Sequence, residues 1–206
     1  MRKHRSYVGI DLLLCCYSQR VFMTRRAHSP HRQSCDGDLR DYNGIGEWSV
    51  LSVQSRYRDY CNALQVSDPH LPEPMVHREG HVVWIYPIMD SVIQGIQSGD
   101  AACIALGVDF VEEDDHFSFG KILKSNAARA LRRAHLTESQ MARLREHIVT
   151  MLVSGIIPHE MREYAKLLRV IGVGDQWQRL ERDVPKDNPF AMRFYKVLRA
   201  ADGFPS

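Results

Sequence analysis

The stretch that decides the fold is Pro87-Ile88-Met89-Asp90-Ser91-Val92-Ile93-Gln94-Gly95-Ile96-Gln97-Ser98-Gly99-Asp100, which runs on into Ala101-Ala102-Cys103-Ile104-Ala105-Leu106. Ile88, Met89, Val92, Ile93 and Ile96 fall on one face of a helix. Pro87 suits a first helical position, where its missing N–H costs nothing. Gly99 supplies a left-handed stop. Asp100 can then accept the first free N–H groups of a second helix through Ala101, Cys103, Ile104, Leu106 and Phe110. A two-residue link leaves no room for a crossover, so the two helices must run antiparallel.

The same grammar continues toward the C-terminus. Phe119, Ile122, Leu123, Ala127, Ala130, Leu131 and Ala134 make the next apolar stripe. Thr137 and Gln140 form a capping box ahead of Met141, Leu144, Ile148, Met151 and Leu152, with Gly155 after them. Pro158 opens a helix whose inward residues are Met161, Tyr164, Ala165, Leu168 and Ile171, with Gly172 as its stop. A shorter helix over about 175–182 carries Trp177 and Leu180. Asn188 and Pro189 open the last, with Phe190, Phe194, Val197 and Leu198 inward and Gly203 after it.

Upstream the pattern weakens. His81 to Tyr86 is either a lone strand or a lead-in to the helix. Ser67-Asp68-Pro69-His70-Leu71-Pro72-Glu73-Pro74 must run extended and reads as a linker. Trp48, Leu51, Tyr57, Tyr60, Cys61 and Leu64 give one ragged helix over 48–65. Residues 1–47 show no sustained period and read as a flexible extension. The expected organisation is therefore a flexible extension over 1–47, a weak helix and Pro-rich linker over 48–79, and a mainly α domain over 80–203 built of antiparallel helix pairs.

Composition fits a globular protein, with 44% apolar residues. The longest apolar run, Val8 to Cys16, contains Asp11 and falls short of a membrane span. The basic start at Arg2, Lys3 and Arg5 is followed by no small-residue cleavage site, which argues against a secretory leader. Five cysteines without a C-x-x-C pair suit a reduced, cytoplasmic protein.

Charge is distributed unevenly. Residues 81–120 contain seven acids and no Lys or Arg, whereas residues 121–206 contain 16 bases and nine acids. The two stretches either neutralise each other within the fold or mark a surface for a charged partner.

The helix starts near 119 and 158, and near 138 and 175, recur at roughly the period of HEAT repeats. Leu167-Leu168-Arg169-Val170-Ile171-Gly172 also resembles the end of a HEAT helix. The resemblance spans about 87–202 and rests on period and amphipathicity. It implies a short solenoid that binds another macromolecule on an exposed helix face. A compact helical bundle explains the same pattern.

Three kinds of chemistry compete for the polar residues. The loop Glu112-Glu113-Asp114-Asp115-His116 offers oxygen and imidazole ligands, with Glu113 and His116 as a Glu-x-x-His pair, but neither a calcium loop spacing nor a second such pair accompanies it. His159-Glu160-Met161-Arg162-Glu163 lacks the second histidine of a zinc-protease motif, so Glu160 and Glu163 read as helix-start acids, with Glu163 able to pair with Lys166. Lys121, Lys124, Arg129, Arg132 and Arg133 lie on the non-apolar side of one helix and form the candidate partner-binding set. With Arg143, Arg145, Arg162, Arg169, Arg179 and Arg182 they could track a phosphate backbone, although no helix-turn-helix or base-stacking platform accompanies them. The expected function is a non-catalytic protein-interaction module without a cofactor. The alternatives are a small metal protein or enzyme using residues 112–116, and a nucleic-acid binder.

Overall fold

The structure is a computed structural model and describes residues 38–113 and 119–201. It is mainly helical, with a small sheet of β1 (Asp38–Asp41), β2 (Val76–Glu79) and β3 (Val82–Ile85). The helices are α1 (Val50–Leu64), α2 (Ile88–Ser98), α3 (Ala101–Glu112), α4 (Gly120–Leu131), α5 (Glu138–Val153), α6 (Met161–Ile171), α7 (Trp177–Asp183) and α8 (Pro189–Ala201). No helix among the described residues is long and apolar enough to cross a membrane.

The expected start and stop signals act as such. Asp100 accepts from the Cys103 N–H at 2.7 Å, and both halves of the Thr137–Gln140 box are made. Asn188 accepts from the N–H groups of Phe190 and Ala191. Gly99 ends α2 at φ 86°, a conformation that costs a residue with a Cβ about 1 kcal/mol or more.

Packing arranges the helices in two rows. α1, α3, α5 and α7 touch in succession along one, and α2, α4, α6 and α8 along the other. Contacts of α2 and α4 with α3, and of α6 and α8 with α5, join the rows. This is the layout of a short solenoid or a helical bundle. α3 has neighbours on every side, and each residue from Ala102 to Val111 is buried. Its small residues allow the close approach. A Cβ on Gly107 would stand 2.4 Å from Ile96 Cδ1, and one on Gly95 would stand 2.3 Å from Cys103 Sγ. Leu123, Leu144 and Leu168 are all within 2% of complete burial.

Six expected stripe residues point outward. Leu51 and Leu64 of α1, Phe119 and Ile122 of the α4 stripe, and Phe190 and Val197 of α8, are exposed. The buried stripe of α4 is Leu123, Lys124, Ala127, Ala128, Ala130 and Leu131, and that of α8 is Ala191, Tyr195 and Leu198. Phe119 lies just outside the helix at φ 62°, ψ 0°. Pro158 precedes α6 by a turn, so the helix begins at Met161.

The region before residue 80 is built into the same core. α1 packs on α3 and buries Val53 and Tyr57, while Trp48 meets the Phe110 ring edge-on at 4.6 Å. The expected extension over 1–47 therefore ends earlier in its described part, because residues 38–41 pair in parallel with β3. Residues 1–37 lie outside the described residues. Asn43 then accepts from the Ile88 N–H at 2.7 Å, which supplies α2 with the cap that Pro87 lacks.

The Pro-rich segment runs extended, but it is fastened instead of hanging as a linker. The His70 N–H donates to Asp100 at 3.0 Å and the Leu71 N–H to the Tyr57 hydroxyl at 3.3 Å. Gln54 donates to the Pro72 carbonyl, and the Glu73 N–H to Ser91. β2 pairs antiparallel with β3, and together they frame the Gly80–His81 turn.

Candidate functional site

The acidic stretch faces arginines from two other helices. Asp109, 8% exposed on α3, accepts from Arg56 of α1 at 3.0 Å, Arg143 of α5 at 2.8 Å and the Tyr60 hydroxyl at 2.6 Å. Arg143 also pairs with Glu112, and Arg56 with Glu113 at 2.8 Å. Burial and the Asp109 hydrogen bond together push the Tyr60 phenol up to about 12. Burial works against the charge on Arg56 and Arg143, but their carboxylate partners outweigh it and raise both. The charge asymmetry is thus partly structural, since Arg143 comes from the basic half of the chain.

This arrangement bears on the metal reading. Glu113 already holds Arg56, and its backbone carbonyl takes the Lys124 ammonium. A cation at Glu113 would compete with Arg56 for the carboxylate. His116 and Asp115 lie outside the described residues. No group of three or more potential ligands gathers among the described residues.

The basic set divides. Lys121 and Arg133 are exposed. Lys124 is not on the solvent face as expected: it is 5% exposed, donates to the Glu113 carbonyl and lies 5.9 Å from the centre of the Phe110 ring. It occupies the buried stripe one residue after Leu123, where a long stem reaches the end of α3. Arg129 and Arg132 turn toward α6, where Glu163 sits 3.4 Å and 3.7 Å from them. Glu163 also pairs with Lys166 at 2.8 Å, as its spacing predicts. Burial pushes the Glu163 carboxyl up, but Lys166 and Arg129 outweigh it and hold it below the usual range.

Of the other arginines considered for phosphate, Arg162 and Arg169 are exposed on α6, and three more are committed elsewhere. Arg145 donates to the carbonyls of Ile171 and Gly172 at the end of α6 and pairs with Glu138. Arg179 pairs with Glu146 at 2.5 Å, and Arg182 with its neighbour Asp183 at 2.7 Å.

At the start of α4 the structure places an aromatic group that periodicity assigned to the core. Phe119 is 50% exposed and meets the Tyr42 ring edge-on at 5.3 Å, with Tyr86 6.3 Å beyond. Ile122, one turn on, is 59% exposed. The outer face of α4 therefore reads Phe119, Lys121, Ile122, Ser125, Arg129 and Arg133. Tyr42 carried no sequence signal, because only β1 pairing brings it here. Phe119 had one, since a residue preceding a glycine at a helix start is at a boundary where helical periodicity no longer fixes direction.

A cleft of about 650 Å³ lies along α5, with Glu112, Arg143, Glu146, His147, Thr150 and Gln176 among its lining residues. Arg143 and Glu112 there pair with each other and Glu146 with Arg179, and Asp175 also lines it. Cys103 is buried, and burial together with Asp100 pushes its thiol far up, which leaves it unreactive. Cys61 is a free thiol as well.

No protein-family model, curated protein or solved structure matches the chain.

Proposed function

We propose that this protein is a non-catalytic helical interaction module whose working surface is the outer face of α4. The observation that carries this reading is the exposure of Phe119 and Ile122 beside Lys121, Arg129 and Arg133 on one helix face. Large apolar side chains rimmed by cations match the anatomy of binding hot spots, where a desolvated anchor sits within a polar border. Tyr42 behind Phe119, and Glu163 behind Arg129, hold these groups in place before a partner arrives, which lowers the ordering cost of binding. The free thiols of Cys61 and Cys103 fit a reducing cytoplasm.

The test is site-specific photo-crosslinking in cells. A photoreactive residue at position 122 is expected to capture a defined protein, and one at the more exposed Leu51 on α1 is not. Capture at 122 should disappear when Phe119 is replaced by Ala. Equal capture at both positions, or none at 122, would remove α4 as the working surface.

A further inference from the structure

Resting on that reading, we infer that the partner of α4 is an acidic protein segment that seats an apolar side chain against Phe119 and Ile122 and its carboxylates against the arginine cluster. Arg129, Arg132 and Lys166 converge on one carboxylate, that of Glu163. Three cations around a single acid leave an excess of two positive charges. Glu163 is 7% exposed and Arg129 has half its side chain in water, so the acid is sealed beneath while the cationic edge faces outward. The buried Glu160, three residues earlier, lowers the excess by one, while Lys121 and Arg133 raise it by two. Among the described residues the face remains at three positive charges, and a cationic or neutral partner would leave that excess uncompensated.

Geometry adds a spacing. Along a helix rising about 1.5 Å per residue, Arg129 stands about 10 Å from Ile122 and about 15 Å from Phe119. The partner must therefore present its anchor and its carboxylates about 10–15 Å apart, which is roughly four residues of extended chain. Nucleic acid fits less well. Its phosphates would have to pass over Phe119 and Ile122, and of the arginines that could extend the track, Arg143, Arg145 and Arg179 are engaged in ion pairs, which leaves Arg162 and Arg169 exposed on α6.

The experiment measures fluorescence anisotropy of the whole chain with synthetic labelled peptides. The probe has a Trp followed, after about three neutral residues, by a run of Glu. Controls replace each Glu by Gln, or the Trp by Ala, and a single-stranded oligonucleotide is run in parallel. The Glu peptide is expected to bind at least tenfold tighter than either control and than the oligonucleotide. Its affinity should fall several-fold between about 50 mM and about 300 mM salt. Arg129→Gln with Arg132→Gln should lose at least tenfold. Because that variant strips partners from the buried Glu163, the triple change with Glu163→Gln, and the exposed pair Lys121→Gln with Arg133→Gln, are measured beside it. Both should weaken binding while the far-ultraviolet circular dichroism stays unchanged. Equal binding of Glu and Gln peptides, unchanged affinity in the folded variants, or tighter binding of the oligonucleotide would overturn the assignment. If position 122 still captures a protein in cells under any of these results, the surface stands and only its acidic partner fails.

Discussion

Arg143 Nη2 lies 2.8 Å from the Asp109 carboxylate, and that contact joins the acid-rich stretch of the chain to the base-rich one. Asp109 also holds Arg56, so a single carboxylate on α3 binds the helices on either side of it in the same row. Further along that row Glu146 takes Arg179, and in the other row Glu163 takes Arg129 and Arg132. Every neighbouring pair in the first row, and α4 with α6 in the second, is thus tied by charge as well as by apolar packing.

Replacing Asp109 by Ala leaves two arginines and the Tyr60 hydroxyl without their shared acceptor. Removing one partner of a largely buried ion pair costs about 3–5 kcal/mol. Arg143 keeps Glu112 and Arg56 keeps Glu113, so the loss belongs at the lower end of that range. Urea unfolding of the Asp109→Ala protein should show a midpoint lowered by about 1 M or more, with an m-value near 2 kcal/mol/M. A shift under a quarter of that would mean the pair is decorative.

Tyr60 gives the same hub an alkaline signature. Its phenol is near 10 in the unfolded chain and is pushed up to about 12 in the fold. A folded value above the unfolded one means the folded state holds more protons between the two. The stability it contributes is therefore complete below pH 10 and is lost as pH rises toward 12. Stability measured across this window should decline, and Tyr60→Phe should make the decline shallower. An identical slope in the variant would show that Tyr60 does not contribute.

Much of this fold is legible in the chain because its signals are local. Pro87, Gly99, Asp100, Thr137 and Asn188 act within one turn of their own position, and the stripes of α2, α5 and α6 repeat within a few residues. What the sequence hid depends on distant partners. Asp-Leu-Arg-Asp at 38–41 has no strand pattern of its own and becomes β1 because Val82 to Ile85 offers it a free edge. Residues 67–74 look like a tether because nothing near them shows that Asp100, Tyr57 and Ser91 await their N–H groups. The basic set was readable as a helix face. Its division into a buried Lys124, arginines bound to Glu163 and exposed ends at Lys121 and Arg133 was not, because a one-residue rotation decides which side meets α3 or α6.

Asp100 tests the fastened segment. Burial raises its carboxyl, but the N–H groups of Cys103 and His70 and the Tyr57 hydroxyl outweigh burial and hold it below the usual range. A depressed folded value gives stability that is present above the unfolded value of about 3.9 and is lost as pH falls through the folded one. Asp100→Asn should remove that acid dependence and cost about 1–2 kcal/mol, because an amide nitrogen cannot accept from the donors that face both carboxylate oxygens. Limited proteolysis should then cut within 67–74, where the wild type resists.

Gly95 and Gly107 should behave differently despite similar crowding. A Cβ on Gly95 would meet Cys103 Cβ at 2.9 Å as well as its sulfur, and His70 Cδ2 at 2.9 Å. Those atoms belong to a short side chain on a packed helix and to a fastened ring. Gly95→Ala should therefore cost about 1–3 kcal/mol as overpacking. At Gly107 the near atom is the tip of Ile96, which can rotate away, and alanine gains about 1 kcal/mol of helix propensity. Gly107→Ala should fall within about 1 kcal/mol of wild type in the same thermal melts. Equal destabilisation by both would mean that α2 and α3 are not held as rigidly as their contact implies.

Phe119 separates function from stability. At φ 62° a bulky side chain carries backbone strain of about 1–3 kcal/mol, and glycine adopts that conformation freely. Its ring contributes an edge-on contact with Tyr42 worth about 0.5–1.5 kcal/mol. The two terms oppose each other, so Phe119→Gly should leave the melting temperature within a few degrees of wild type or raise it slightly. A core phenylalanine replaced by glycine would instead cost more than 3 kcal/mol. The same variant should lose the protein captured at position 122. A strained, exposed aromatic that improves the fold when removed has its explanation outside the fold, and loss of capture without loss of stability is the result that assigns it to binding. Retained capture with a raised melting temperature would leave the strain at Phe119 with no such role.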